Sequence, residues 1–383
     1  MERATRELLD TLAKNASKPI EEARALPAGA FASEEFFALE VEKIFRHEWL
    51  CVGREEQVAK PGDYLSITLI GEPVIVVRDD KGTLHALSNV CRHRYMQLVD
   101  GQGKTDKFVC PYHGWTYSLD GSLAGAPHMT ESRIFDRRSC RLPEFRVEVW
   151  MGFVFVNFDS DAEPVAQTHH AAYERLAEHK IDEMRLAASY DKVWDGNWKI
   201  AVENGSEGYH TPMLHPGIHK WSPIETLTHE NVGEIGSWMS NSLDLDTAVE
   251  VDAGFGGLMK RAHDMLPEAD RALFLGYNLH PALYIDEFPG YCVWLSFLPE
   301  DVGHTRVIAG GLVYQGEIEA GGEAFLREHD EFLDVLNLED SEPTANLQKT
   351  VGSRFTEPGP LSHKELQLLG FQRYLAKRLI DEA

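Results

Sequence analysis

Hydrophobic positions along this chain change period twice. Between Glu34 and residue 47, Phe37, Val41, Ile44 and Phe45 recur at helical spacing. Ser33 can cap that helix, and Glu34 and Glu35 sit in its first turn, where negative charge meets the dipole. From Gly62 to Phe158 short β-type runs take over. Tyr64 to Ile70, Pro73 to Arg78 and Leu84 to Val90 read as strands, with Asp79-Asp80-Lys81-Gly82 as a turn. Trp115 to Leu119 followed by Asp120-Gly121 predicts a hairpin, and Val147 to Phe158 is a nearly continuous apolar run. Beyond Ser160 the helical period returns through Ala171 to Ile181. A strand is expected from Leu186 to Trp194 and a helix from Trp198 through Tyr209. Pro281 to Leu298 and Arg306 to Tyr314 carry the aliphatic and aromatic residues of a central sheet. Helical stretches follow from Glu323 to Leu338 and from His363 to Ile380, the second opened by a Ser362/Glu365 capping box, with Pro343 interrupting between them. The pattern predicts an α+β protein. An all-β module, 48–160, is inserted between a helical part, 1–47, and an α+β domain, 161–383.

A chain of 383 residues can hold two cores of this kind. No apolar run approaches a membrane span, so no membrane partner is expected. The net charge of −25 disfavours nucleic acid, whose phosphates need a basic face, and suits a basic redox partner. Met1 to Lys18 is charged and lacks the apolar core of a signal peptide, which makes a cytoplasmic location the expectation. Cys51, Cys140 and Cys292 are scattered and odd in number, which fits a reducing compartment.

The other two cysteines belong to a pattern. Cys91-x-His93 and Cys110-x-x-His113 are separated by sixteen residues, and each half is a two-ligand claw with one sulfur and one nitrogen. Two thiolates and two imidazoles suit a Rieske 2Fe–2S cluster, in which cysteines hold one iron and histidines the other. A structural zinc site uses the same residue types, and buried cysteines are often inert core residues. Pro111, Gly114 and Trp115 around the second claw favour the cluster, because they build a tight loop whose N–H groups can point at sulfide.

A second centre lies in Glu203-Asn204-Gly205-Ser206-Glu207-Gly208-Tyr209-His210-Thr211-Pro212-Met213-Leu214-His215. His210 and His215, five apart, would diverge by more than a quarter turn on an unbroken helix. If Pro212 ends the helix after His210, the following turn can bring His215 back. Two imidazoles and one carboxylate make the facial set of mononuclear non-haem Fe(II), with positions left for dioxygen. Asp330, Asp334, Glu339 and Asp340 are the carboxylates on offer, Asp340 being preferred and Asp334 second.

Together these motifs make the chain similar to the α subunit of Rieske non-haem iron aromatic-ring-hydroxylating oxygenases. The likeness runs from the helix before Trp49 to the last helix. It rests on Cys91-Arg92-His93-Arg94, Cys110-Pro111-Tyr112-His113-Gly114-Trp115, Glu207-Gly208-Tyr209-His210 with His215, and Glu339-Asp340 with Gln348. Tyr95 stands where the family usually has Gly. Glu207 stands where many members have Asp, a feature similar to the carnitine, glycine-betaine and choline monooxygenases.

The resemblance implies a helix-grip, START-like catalytic domain and a head-to-tail homotrimer. It implies electrons that start on NAD(P)H and arrive through a separate ferredoxin or flavin reductase. It also implies O₂-dependent hydroxylation of a small molecule, such as N-demethylation of a quaternary or N-methylated amine. Ring hydroxylation of an aromatic compound or acid is the alternative, and a Rieske electron carrier or sensor is the non-enzymatic one. Glu207 is implied to link His113 of one subunit to His210 of the next, with Asn204 and Tyr209 in support. Trp221, Trp238, Phe255, Tyr284 and Trp294 are candidates for the pocket, where an aromatic cage would hold a cation. Lys260 or Arg261 would serve a carboxylate substrate.

Overall fold

The computed structural model describes residues 2–233, 235–262 and 266–380. Two compact units emerge, residues 46–165 and residues 1–45 with 166–383.

Ten strands build the 46–165 unit: β1 (Leu50–Arg54), β2 (Asp63–Leu69), β3 (Glu72–Arg78), β4 (Leu84–Ser88), β5 (Gln102–Lys104), β6 (Phe108–Val109), β7 (Thr116–Tyr117), β8 (Leu123–Gly125), β9 (Glu144–Trp150) and β10 (Phe153–Asn157). Seven form a sheet in the order β1-β10-β9-β4-β3-β2-β5, and β6-β7-β8 form a small second one. The apolar run from Val147 to Phe158 is a hairpin and not one strand. It reverses at Met151 and Gly152, whose φ values of 53° and 75° make a tight turn that composition hides. Ile75, Val77, Leu87, Phe108, Trp115 and Tyr117 form the core that also encloses Cys91 and Cys110.

In the other unit a seven-stranded antiparallel sheet runs β11-β17-β16-β15-β14-β13-β12. Its strands are β11 (Met184–Trp194), β12 (Thr228–Val232), β13 (Gly236–Ser242), β14 (Leu273–Leu279), β15 (Leu283–Phe288), β16 (Tyr291–Asp301) and β17 (His304–Tyr314). The stretch from Pro281 to Leu298 therefore spans two strands, turning at Gly290 (φ 75°). Three helices matter to function: Trp198–Gly205, Thr211–Leu214 and Gln315–Val351. Ser33 caps its helix as expected, accepting from Phe36 N–H, and Ser362 with Glu365 forms the capping box before the last helix.

Two local expectations need correction. The helix from Trp198 stops at Gly205, not at Tyr209, and Pro212 opens the one-turn helix that follows. In a first turn the missing N–H of proline costs nothing. The long helix also runs through Pro343 without ending and departs from helical geometry at Gly322 instead. Beyond the proline the Thr344 hydroxyl bonds the Asp340 carbonyl at 2.9 Å, and Thr344 is buried against the unit. No helix among the described residues is long and apolar enough to cross a membrane.

Candidate metal centres

Two loops of the 46–165 unit are closed in the same way. Cys91 N–H donates to Met96 O at 2.8 Å and Tyr95 N–H returns to Cys91 O at 3.1 Å. Cys110 N–H donates to Trp115 O at 2.7 Å and Gly114 N–H returns to Cys110 O at 3.0 Å. The fourth residue after each cysteine is left-handed, Gly114 at φ 70° and Tyr95 at φ 61°. Glycine adopts that conformation freely, whereas a tyrosine is strained by about 1 kcal/mol.

Each claw presents its histidine toward the other, with ring centroids 4.6 Å apart. Trp115 stacks flat on His93 at 4.8 Å, and Tyr112 lies against His113 at 3.8 Å. Both sulfurs are buried, and Cys91 Sγ lies 3.4 Å from the Tyr117 hydroxyl. Burial raises the Cys91 thiol and the neighbouring Cys110 raises it further, against the opposing Tyr117 contact. The His93 Nδ1 is buried with no hydrogen-bond partner. Orphaned imidazole nitrogen beside two buried thiols fits a 2Fe–2S cluster. His210, His215 and Asp340 bring three donors within 4.8 Å of one another.

In the catalytic unit, Asn197 caps the Trp198–Gly205 helix by accepting from Lys199 N–H, and its own N–H is held by Gln348 Oε1 at 2.9 Å. Just beyond the helix, Glu207 organises the next turn. Its Oε2 accepts from the Tyr209 and His210 N–H groups, and its Oε1 takes the His210 Nδ1–H at 2.7 Å. The one-turn helix then carries the chain from His210 to His215, bringing the rings to 5.2 Å.

Both imidazoles have the same arrangement. His215 Nδ1 is held by Glu339 at 2.7 Å, as His210 Nδ1 is held by Glu207. Each Nε2 is left facing Asp340 Oδ1, at 3.0 Å from His215 and 3.8 Å from His210. Asn204 Nδ2 steadies the same oxygen at 3.3 Å. Carboxylates on the outer nitrogens fix the tautomer and free the inner lone pairs for a metal. Burial alone would depress His215, but hydrogen bonds and charge from Asp340 and Glu339 outweigh it and push it up to about 9. That excess of negative charge around an imidazole suits a divalent cation. The donor set fits mononuclear iron.

The alternative carboxylates lie elsewhere. Asp334 pairs with Lys192 at the surface at 2.8 Å, and Asp330 accepts from Ser189 N–H. Tyr209 contributes its backbone to the Glu207 turn while its side chain is exposed.

A cavity of about 110 Å³ opens beside this trio. Of the expected pocket aromatics, Trp221 and Tyr284 line it. Trp238 packs on Tyr277 instead, Phe255 stands behind Trp221, and Trp294 is core. Trp194, Phe274, Phe288, Phe297 and Phe332 complete the wall. The first four escaped notice because a strand's facing is invisible until its register is known, and Phe332 because it comes from the long helix. Lys260 and Arg261 do not serve the cavity; they pair with Asp246 and Glu317 in partly exposed positions. The acidic residue that sequence reasoning missed is Asp286. Its only signal was an acid alternating with Tyr284 and Phe288 inside an apolar strand. Burial pushes its carboxyl up to about 8 and Asp340 adds to this, with Tyr284 opposing.

Cluster-type claws on a β unit and a two-histidine, one-carboxylate trio on an α+β unit define the class. The sequence matches the Rieske [2Fe-2S] domain over residues 48–146 and the ring hydroxylating alpha subunit (catalytic domain) over residues 170–381. The chain belongs to this family of Rieske non-haem iron oxygenase α subunits. It is 35% identical to the carnitine monooxygenase oxygenase subunit of Acinetobacter baumannii over 211 residues, 54% of this chain and 57% of the relative. It is 40% identical to the glycine betaine monooxygenase oxygenase subunit of Chromohalobacter salexigens over 197 residues, 51% of this chain and 44% of the relative. The chain thus spans about half the length of these curated relatives. The crystal structure of the quaternary ammonium Rieske monooxygenase CntA superposes with a TM-score of 0.82 at 25% identity, covering 97% of this chain and 98% of that one.

Proposed function

We propose that this chain is the terminal oxygenase of a two-component system that oxidatively N-demethylates a quaternary or N-methylated amine. The observation that carries this is the small, aromatic-walled cavity directly beside His210, His215 and Asp340. A cation over an aromatic face gains roughly 0.5–1 kcal/mol when exposed and about 2 kcal/mol where water is excluded. About 110 Å³ is also small against the pockets of drug-sized ligands, which suits a compact substrate.

Cys91, His93, Cys110 and His113 would hold the 2Fe–2S cluster; His210, His215 and Asp340 would hold Fe(II). When bound, the two centres supply stored electrons and dioxygen activation. In balance, one O₂, two electrons and two protons convert an N–CH₃ group to N–CH₂OH and water. The carbinolamine then loses its hydroxyl proton and breaks its C–N bond, the electron pair staying on nitrogen, to release formaldehyde and the demethylated amine. The chain's own residues hold this geometry. Glu207 and Glu339 fix the imidazoles through Nδ1, Asn204 steadies Asp340, and Trp221, Tyr284 and Phe288 bound the space the N-methyl group would enter.

The two electrons require a separate reductase. Copies of the chain would assemble head to tail into a trimer, placing Glu207 between its own His210 and His113 of a neighbour. A solved relative, CntA, is described as showing inter-subunit electron transfer. Formaldehyde formed in step with O₂ and NADH consumption, with a surrogate reductase and an N-methylated ammonium compound, tests the proposal. A hydroxylated arene product without formaldehyde would reject it.

A further inference from the structure

Strand β15 sorts its side chains by parity. Tyr284, Asp286 and Phe288 face the cavity, as residues two apart on a strand must. On the opposite face Glu287 is buried and ion-paired with His179. Two adjacent acids are therefore treated differently: one has a basic partner and the other has none. Asp286 Oδ1 is buried with no hydrogen-bond partner, and the carboxyl's side-chain hydrogen bond is to the neutral Tyr284. Ionising a carboxyl in that state is costly unless an opposite charge arrives.

The cavity supplies no such charge. No lysine or arginine lines it among the described residues, and the two basic residues nearest in expectation, Lys260 and Arg261, are engaged elsewhere. A divalent iron does not settle the balance either. Glu207, Glu339 and Asp340 already set three carboxylates against its two positive charges, so Asp286 can ionise only beside a further cation. A trimethylammonium group answers this need well, since it carries charge and has no N–H to donate. It can approach a carboxylate and aromatic faces together. A second carboxylate on the substrate would meet only repulsion.

We propose that Asp286 selects the charge of the substrate, so that the cavity takes an ammonium cation without a carboxylate and disfavours zwitterionic betaines. This rests on the amine function proposed above and narrows it. The relatives' carnitine and glycine betaine, both carboxylates, would then be poor ligands here.

Calorimetric titration of the iron-loaded wild-type protein with choline, glycine betaine and the uncharged isostere 3,3-dimethylbutan-1-ol tests the proposal. Choline is expected to bind about tenfold or more tighter than either of the others. Asp286→Asn should weaken choline roughly 30-fold or more, barely change the neutral alcohol and erase the preference over betaine. Asp286→Glu should keep the preference, which guards against a folding defect in the amide variant. Glycine betaine binding as tightly as choline to the wild type, no choline binding, or an unchanged ratio in Asp286→Asn would each overturn the assignment. Formaldehyde release from N-methylated ammonium compounds alongside a flat binding ratio would sink the selector and leave the amine function standing. An arene product without formaldehyde would remove both.

Discussion

Replacing Glu207 by Gln separates two consequences of one carboxylate. Glu207 makes three contacts: two backbone N–H groups on Oε2 and the His210 Nδ1–H on Oε1. A glutamine has one acceptor oxygen. If that oxygen keeps the backbone amides, its NH₂ opposes the imidazole N–H; if it keeps the imidazole, its NH₂ opposes two amides. One side of the carboxylate must lose its bonds. The Glu207 side chain is only 12% exposed, so solvent recovers little of the loss. A hydrogen bond to a charged group contributes about 1.5–3 kcal/mol. Iron affinity should accordingly fall by about 10- to 100-fold, the range found for residues that orient metal ligands. Competition with an Fe(II) chelator under anaerobic conditions measures this. At saturating iron, single-turnover product formation should still be slowed, while the visible spectrum of the cluster stays unchanged. Iron affinity within twofold of wild type, together with an unchanged single-turnover rate, would refute the role assigned to Glu207.

Glu339→Gln should lower iron affinity about tenfold and leave the cluster spectrum intact, because it loosens His215 alone; an unchanged chelator competition would count against it. Tyr95→Gly should raise the stability of the 46–165 unit by about 0.5–1 kcal/mol, read from its melting transition, since it relieves a left-handed tyrosine; a destabilised unit would show that the ring packs usefully. His169 and His280 are buried and held down, by burial first, to about 4 and about 3. Both stay neutral in the fold and take up protons when unfolded below the usual 6.5. Stability is therefore whole above that value and is lost as pH falls toward 4, by about 1.4 kcal/mol per pH unit for each histidine. His280→Phe should remove its share of the slope in melts taken across that window, and an identical slope would contradict the assignment.

Elements with a local signature were legible from sequence. Ser33, Ser362 with Glu365, and the Asp79 to Gly82 turn each announce themselves through one or two side chains. Both Cys–His claws were equally plain, because ligand type and spacing are local. What stayed hidden depends on register and context. The turns at Gly152 and Gly290 lie inside apolar runs whose two strands look like one. Pro212 looked like a helix stop and is a helix start, because Gly205 had already ended the helix before it. Asp286 was overlooked because its meaning comes from facing His210, His215 and Asp340 across the cavity, with no basic partner beside it. Asp340 could be preferred over Asp334 from sequence, but only the packing of the long helix shows Asp340 beside both imidazoles while Asp334 meets Lys192.

The central claim is that one chain holds two different iron environments. Iron and acid-labile sulfide should be counted on anaerobically reconstituted wild-type protein and on a His210→Ala, His215→Ala double variant. About three iron and about two sulfide per chain are expected for the wild type, and about two of each for the variant, whose cluster spectrum should be retained. Zinc without labile sulfide, or a variant that keeps all its iron, would contradict the account.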